Sequence, residues 1–313
     1  MNPACGTRSA AQEISSLLVR VRHLYGEVAV RYTERRGHAT ELAHAAAIAG
    51  HPLIVAVGGD GTFSEVVNGV LSAEESGGAP LDAAAAPSVG LVSIGTGGDF
   101  RRTLGIGAGI EGSLETLAGA GDRYIDVVRA EFRDPDGAPV RRYFVNVLSA
   151  GLGGLVDLFI DSMPSFVPGR IGYYLAALRA VAVSEERRVR ARVEWQGQTR
   201  EETLPAYLVA ICNGRWFGGG MDVAPMALPD DGRLEVITVT APNKPYILKR
   251  IQSVYAGRHL EVPTVHHFPC TRVELHLEDE TAESKFLLDV DGDALGSLPL
   301  SVEVVPKRLR VRA

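Results

Sequence analysis

Residues 56–65 read Ala-Val-Gly-Gly-Asp-Gly-Thr-Phe-Ser-Glu and follow directly on the apolar run 52–57. A buried strand that stops at two glycines, turns at Asp60-Gly61 and opens a helix at Thr62 leaves few folds open. Glycines admit backbone conformations closed to other residues and let a ligand approach the bare amides. The unpaired N–H groups at a helix start favour anions such as phosphate. Gly58, Gly59, Asp60, Gly61, Thr62, Phe63 and Ser64 therefore read as a cradle for a nucleotide's phosphates. A plain strand-turn-helix connection, with Thr62 as an ordinary cap, is the competing interpretation.

The surrounding pattern favours an α/β domain. Residues 10–22 have helical spacing, 27–32 alternate like a strand, 37–49 form an Ala-rich helix, and 53–57 and 89–94 read as buried strands. Strands alternating with helices imply a mostly parallel sheet whose ligands bind at the strand ends. A second turn, Gly95-Thr96-Gly97-Gly98-Asp99-Phe100, ends the strand 89–94. Thr96 there is a candidate contact to phosphate or adenine, and Asp99 a candidate near Mg²⁺.

After residue 122 the rhythm changes. Segments 123–132, 142–148, 187–195, 204–212, 233–240, 272–277 and 286–289 read as strands, interrupted by helices near 169–184 and 243–256. The expectation is an α/β nucleotide-binding domain over 1–122, a β-sandwich-rich domain over 123–299, and a C-terminal strand and tail, 300–313, packing on the first or the second. Within the second part, Asp289-Val290-Asp291-Gly292-Asp293 places three alternating carboxylates at a strand end. Asp291 is the candidate general base for a hydroxyl and Asp293 its support. Asp231, in Asp230-Asp231-Gly232, is a candidate ligand for a hard cation, helped by backbone carbonyls.

The chain has 313 residues and a net charge of −6, which disfavours a general nucleic-acid partner. Three scattered cysteines and no CxxC argue against a disulfide frame or a zinc site. The eight histidines read as surface or structural residues rather than metal ligands. There is no Gly-x-x-x-x-Gly-Lys-Ser/Thr, and Gly105-Ile106-Gly107-Ala108-Gly109 leaves the dinucleotide fingerprint incomplete at Ile110. No run is long enough for a membrane span and no signal-peptide pattern opens the chain, so a cytoplasmic protein is expected.

Taken together, Asn2-Pro3-Ala4-Cys5-Gly6, Thr33 with Gly37–Ala43, Gly58–Thr62, Gly95–Phe100, Asn213–Gly220, Asp230-Asp231-Gly232 and Asp291-Gly292-Asp293 resemble the diacylglycerol kinase catalytic family. This family includes bacterial lipid kinases and the sphingosine and ceramide kinases. The pieces occur in family order and cover nearly the whole chain. The resemblance implies a nucleotide domain like that of NAD kinases and phosphofructokinases, joined to a β-sandwich, with ATP and Mg²⁺ as cofactors. It puts nucleotide contacts on Thr33, on Gly58 to Ser64 and on Thr96, the base within Asp291-Gly292-Asp293, and a structural Mg²⁺ site on Asp231 with the backbone oxygens of Leu228 and Arg233. It implies transfer of the γ-phosphoryl group of ATP to a lipid hydroxyl, diacylglycerol or sphingoid, by a cytoplasmic protein at a membrane surface. A homodimer is compatible with this reading.

The chain departs from the family pattern in three places. Met1 alone precedes Asn2-Pro3, where the family has an apolar strand; Gly98 stands where Asn is usual; and Asp293 stands where Glu is usual. The alternatives are a soluble kinase like an NAD kinase and a non-catalytic lipid- or nucleotide-binding homologue. For the lipid, 155–166 and 171–183 offer an apolar surface, with Tyr173, Tyr174 and Leu178. The basic residues of 187–192 and 307–312 face either an anionic membrane or solvent, and a solvated strand face is the simpler expectation.

Overall fold

Two helices and a strand, α1 (Ala10–Tyr25), α2 (His38–Ile48) and β1 (Leu53–Gly58), open the computed structural model. It describes residues 1–3, 10–76, 86–94, 98–163 and 169–313. Thr96, with Gly95 and Gly97, and Phe166 lie outside the described residues. The chain divides into one unit of Met1–Ile125 with Lys307–Ala313, and a second of Asp126–Pro306.

In the first unit β1 is followed by α3 (Asp60–Ser76), β2 (Ser88–Ser93), α4 (Asp99–Leu104) and α5 (Gly109–Gly119). Strands β1 and β2 pair in parallel from Leu53↔Ser88 to Gly58↔Ser93, and Val311 of the returning tail lies opposite Val89. One face carries α1 and α5, whose Leu17, Leu114 and Leu117 pack with Val57, Val92 and Ile94. Helices α2 and α3 pack together so tightly that a Cβ on Gly69 would stand 2.3 Å from the Thr40 carbonyl oxygen. Segment 27–32, expected as a strand, belongs to no strand ladder among the described residues. Alternation gives a strand its faces, whereas a neighbour's backbone must give it a ladder.

The second unit takes in most of β3 (Asp122–Arg133), then β4 (Pro139–Phe144), β5 (Val147–Gly151), α6 (Leu152–Asp161), α7 (Gly169–Val183), β6 (Arg187–Trp195), β7 (Gln198–Ala206) and β8 (Leu208–Cys212). A short hairpin, β9 (Trp216–Phe217) and β10 (Met221–Asp222), leads to β11 (Leu234–Val239), α8 (Lys244–Tyr255), β12 (Val265–Cys270), β13 (Arg272–Leu277), β14 (Leu287–Val290) and β15 (Asp293–Arg312). The ladder order is β12-β11-β8-β5-β14-β15-β13-β6-β7, with antiparallel neighbours, and β3 lies between β15 and β4. Inward-facing residues of these strands, among them Phe144, Leu148, Ile211, Leu234, Val273 and Leu300, form one apolar core. That is the sandwich expected.

Three local expectations are corrected. The stretch 142–148 is two strands, because the chain turns at Val145-Asn146. The stretch 204–212 is likewise split at Tyr207. Helix α6 and strand β12 were not foreseen. α6 follows so many glycines that its propensity is masked, and the His266-His267 and Pro269 of β12 look unlike a strand.

Candidate functional site

The first unit brings the glycine turn and the second loop together through one side chain. Asp60 Oδ2 accepts hydrogen bonds from the amides of Gly98 (3.1 Å) and Asp99 (2.8 Å). Its other oxygen, Oδ1, is buried and has no hydrogen-bond partner among the described residues. Burial pushes the Asp60 carboxyl above its usual range, and the amides of Asp99 and Gly98 oppose this. An orphaned buried carboxylate oxygen at a helix start suits a cation or the hydroxyl of a ligand.

The turn itself needs glycine. A Cβ on Gly58 would stand 2.5 Å from Thr62 Oγ1 and 2.8 Å from Thr62 Cβ. Thr62 is buried, and Asn2 Nδ2 donates to its hydroxyl at 3.2 Å. Thr33 is half-buried, and its amide donates to the Met1 carbonyl at 2.9 Å. Glu65, which the sequence reading missed, accepts from the amides of Gly37 (2.8 Å) and Ala39 (3.0 Å) and so caps α2 from α3. Glu65 lies in the second turn of α3, and nothing in the sequence ties it to α2.

Three of the expected nucleotide contacts also have roles within the fold. Phe63 is 1% exposed and packs on Phe100 with ring centroids 5.5 Å apart, and its amide is bonded to the Gly59 carbonyl. Its side chain is core. Ser64 is also 1% exposed, beneath the helix surface. Asp99, 6% exposed, is paired with Arg102 at 2.8 Å.

In the second unit the acidic turn is built around Asp291. Its oxygens accept from the amides of Val145 (3.2 Å), Asn146 (3.1 Å) and Val147 (3.2 Å). Its own backbone sits at φ 51°, a left-handed conformation that a short polar side chain tolerates. A carboxylate offers about four acceptor sites, so three amides leave little for a substrate proton. Asp291 thereby holds the start of β5. Asn213 supports the same corner, donating to the Val145 carbonyl at 2.7 Å, while Asn146 donates to the Trp216 carbonyl at 2.8 Å. A Cβ on Gly214 would lie 2.0 Å from Asn146 Oδ1, which explains the glycine.

Asp293 faces Arg142 at 3.2 Å. Asp289 is more deeply placed, accepting from Ser149 Oγ (3.2 Å) and the Gly292 amide (2.7 Å). Burial, reinforced by Asp157 on α6, pushes its carboxyl well above the usual range. Arg142 and Asp157 come from elements remote in sequence, so no motif announced them.

Asp231, expected to hold a structural Mg²⁺ with the backbone oxygens of Leu228 and Arg233, is also engaged within the fold. The Asp231 carboxylate is already neutralised by Arg233, whose Nε stands 2.9 Å from Oδ2 and 3.0 Å from Glu235. Burial raises the Asp231 carboxyl, with Arg233 opposing. The turn is fixed instead by Asp126, which accepts from the Gly232 amide at 2.7 Å and donates its own amide to the Pro229 carbonyl at 2.6 Å. Leu228 contributes a half-exposed side chain at its edge. Among the described residues no group of three His, Cys, Asp or Glu side chains stands close enough to hold a metal ion.

Residues 146–313 match the family model of the YegS C-terminal NAD kinase beta sandwich-like domain, and residues 1–130 that of the diacylglycerol kinase catalytic domain. The chain belongs to the diacylglycerol kinase family. The diacylglycerol kinase of Bacillus subtilis is 28% identical over 302 residues, covering 95% of this chain and 89% of that protein. That of Staphylococcus haemolyticus is 24% identical, covering 99% and 86%. The fold matches a diacylglycerol kinase crystal structure from Bacillus anthracis with a TM-score of 0.69 at 21% identity, covering 99% and 94%. It matches yeast NADH kinase with a TM-score of 0.50 at 12% identity, covering 99% and 80%. As a member of this family the chain is a lipid kinase.

Proposed function

We propose that the chain transfers the γ-phosphoryl group of ATP to the hydroxyl of a membrane lipid, diacylglycerol or a sphingoid type. The observation that carries this is Asp60: one oxygen ties two loops at the start of α3, while the other is buried without a partner among the described residues. Phosphoryl transfer is mostly positioning and charge neutralisation. The amides of Gly59 to Thr62 would receive the phosphates at the helix start. Mg²⁺ suits Asp60 Oδ1, and when bound it would offset phosphate charge.

The acceptor hydroxyl must lose its proton. Asp291 is committed to three amides, so Asp293, oriented by Arg142, is the better acceptor of that proton. A carboxylate is a weak base toward an alcohol, so the proton moves late, as the oxygen bonds to phosphorus.

An apolar cavity of about 120 Å³ in the second unit supports a lipid acceptor. It lies among α6, α7, α8 and strands β8 and β11, lined by residues such as Val156, Val181, Leu208, Ile237, Ile247 and Ile251. Leu158, Tyr174, Leu175 and Val183 add exposed apolar surface on the same helices. No described helix is long and apolar enough to cross a membrane, which suits attachment at the surface.

The test is phosphate transfer from labelled ATP to diacylglycerol, a sphingoid base, ceramide and NAD, each presented separately with Mg²⁺. Labelled lipid supports the reading. Labelled NAD with unlabelled lipids would replace it with a soluble kinase, and no transfer at all with retained ATP binding would leave a binding homologue.

A further inference from the structure

Adjacent arginines of α4 differ in how their charge is answered. Arg102 is exposed, and Asp99 neutralises it at 2.8 Å. Arg101 is half-buried, and its Nη1 donates to the Ile106 carbonyl at 2.7 Å. A carbonyl carries no net charge. Among the described residues the Arg101 side chain forms no ion pair and no other hydrogen bond. A guanidinium is a fork of several donors, and one bond leaves most of them unassigned. Partly buried with no acid beside it, the cation has lost hydration with nothing to offset the loss. Such a group suits an anion that arrives with a ligand.

Its position says which anion. Gly98, which precedes α4, holds φ 86°, and a Cβ there would stand 2.9 Å from Arg101 Nε and 3.2 Å from Ser93 Oγ. The guanidinium therefore lies where a side chain at position 98 would be. The amide of the same glycine donates to Asp60 Oδ2 at 3.1 Å. Asp60 and Arg101 thus meet the same residue. Burial raises the Asp60 carboxyl, and the amides of Asp99, Gly98 and Phe100 and the charge of Arg101 oppose this. Arg101 is within electrostatic reach of the turn that opens α3.

The turn 58–64 contains no basic residue. Its amides offer phosphate only partial charges. A full charge on a planar fork of donors matches phosphate better. A cap at the C-terminal end of α4 is the plainer role for Arg101, since the Ile106 carbonyl follows that end. That role uses one donor and makes no demand for glycine at position 98.

We infer that Arg101 is a phosphate-holding residue of this site, and that position 98 is glycine so that the guanidinium can lie there. The inference rests on the ATP-dependent reaction proposed above.

The test measures Kd for MgATP by calorimetry, and for adenosine, which has no phosphate, by ligand-observed NMR. Arg101→Ala should weaken MgATP at least about tenfold, the scale of one hydrogen bond to a charged group, and leave adenosine within about twofold. Arg101→Lys keeps the charge without the fork and should lose less. Asn tolerates a left-handed backbone, so Gly98→Asn should fold while displacing the guanidinium. It should weaken MgATP in the parent chain and add less than about twofold in the Arg101→Ala chain. A cap alone would lower Tm in Arg101→Ala and leave both Kd values as they are. MgATP affinity unchanged by Arg101→Ala, or MgATP and adenosine weakened alike, overturns the inference and leaves the proposed reaction standing. A parent chain that binds no MgATP removes both.

Discussion

The same dipeptide, Asp-Gly, stands at a turn in both units, and the two aspartates are bonded in different ways. Asp60 begins a helix and spends one oxygen on the amides of Gly98 and Asp99, while the other is buried with no partner among the described residues. Asp291 sits in a left-handed turn, and its oxygens accept from three amides of the β4–β5 corner. A motif reports residue type and spacing. Whether a carboxylate is a tool or a fastener depends on how many of its lone pairs the fold consumes.

The sharpest way to break this contrast is to remove each carboxylate in turn. Asp60→Asn should lower kcat for ATP-dependent lipid phosphorylation by about 10²–10³-fold, the scale of losing a preorganised charge-stabilising group. Its melting temperature should stay close to that of the parent. A folded Asp60→Asn protein with full activity would end the assignment of Asp60 to the reaction.

Asp291→Ala should act first on stability. It leaves buried amide donors unsatisfied at about 1–3 kcal/mol each, so a loss of roughly 2–5 kcal/mol in denaturant unfolding is expected. An Asp291→Ala protein of parental stability but no activity would reverse the comparison and return the base to Asp291.

What the sequence made legible follows the same division. The strand-turn-helix at Gly58–Thr62 is local, so spacing alone located it, and the β-rich second half was readable from alternation, as in 187–195 and 272–277. The roles of Asp291, Asn146, Asn213 and Glu65 were not readable, because each is set by a partner from another element. Phe63 looked like part of a loop motif, yet its ring is core against Phe100. Segment 27–32 has the pattern of a strand and lacks a ladder, because alternation cannot supply the neighbour.

Asp289 sharpens the contrast through pH. Its carboxyl is raised by burial and by Asp157, so the folded state holds its proton more tightly than the unfolded state does. Linkage then gives stability that is fully present below the unfolded value near 3.9 and is lost as pH rises through the raised folded value. Asp289→Asn cannot titrate. Its unfolding free energy should therefore fall less between pH 4 and neutrality than the parent's, measured by urea unfolding along a pH series. Identical slopes would mean that Asp289 ionises in the fold as it does in the open chain.

The smallest effect is expected on the arginine face of β6. Arg188 pairs with Glu278 at 2.6 Å and Arg190 with Glu280 at 3.0 Å, across to β13 and the turn beyond it. These are exposed pairs, worth below about 1 kcal/mol each. Their charges are answered within the protein, which leaves little net field for an anionic bilayer. In the tail, Arg308 is likewise paired with Glu74, and Arg310 and Arg312 with Asp122. Arg188→Ala with Arg190→Ala should therefore leave flotation with anionic liposomes unchanged and shift the unfolding midpoint only slightly. A clear loss of flotation would assign this face to the membrane and leave the apolar helices α6 and α7 a lesser share of the attachment.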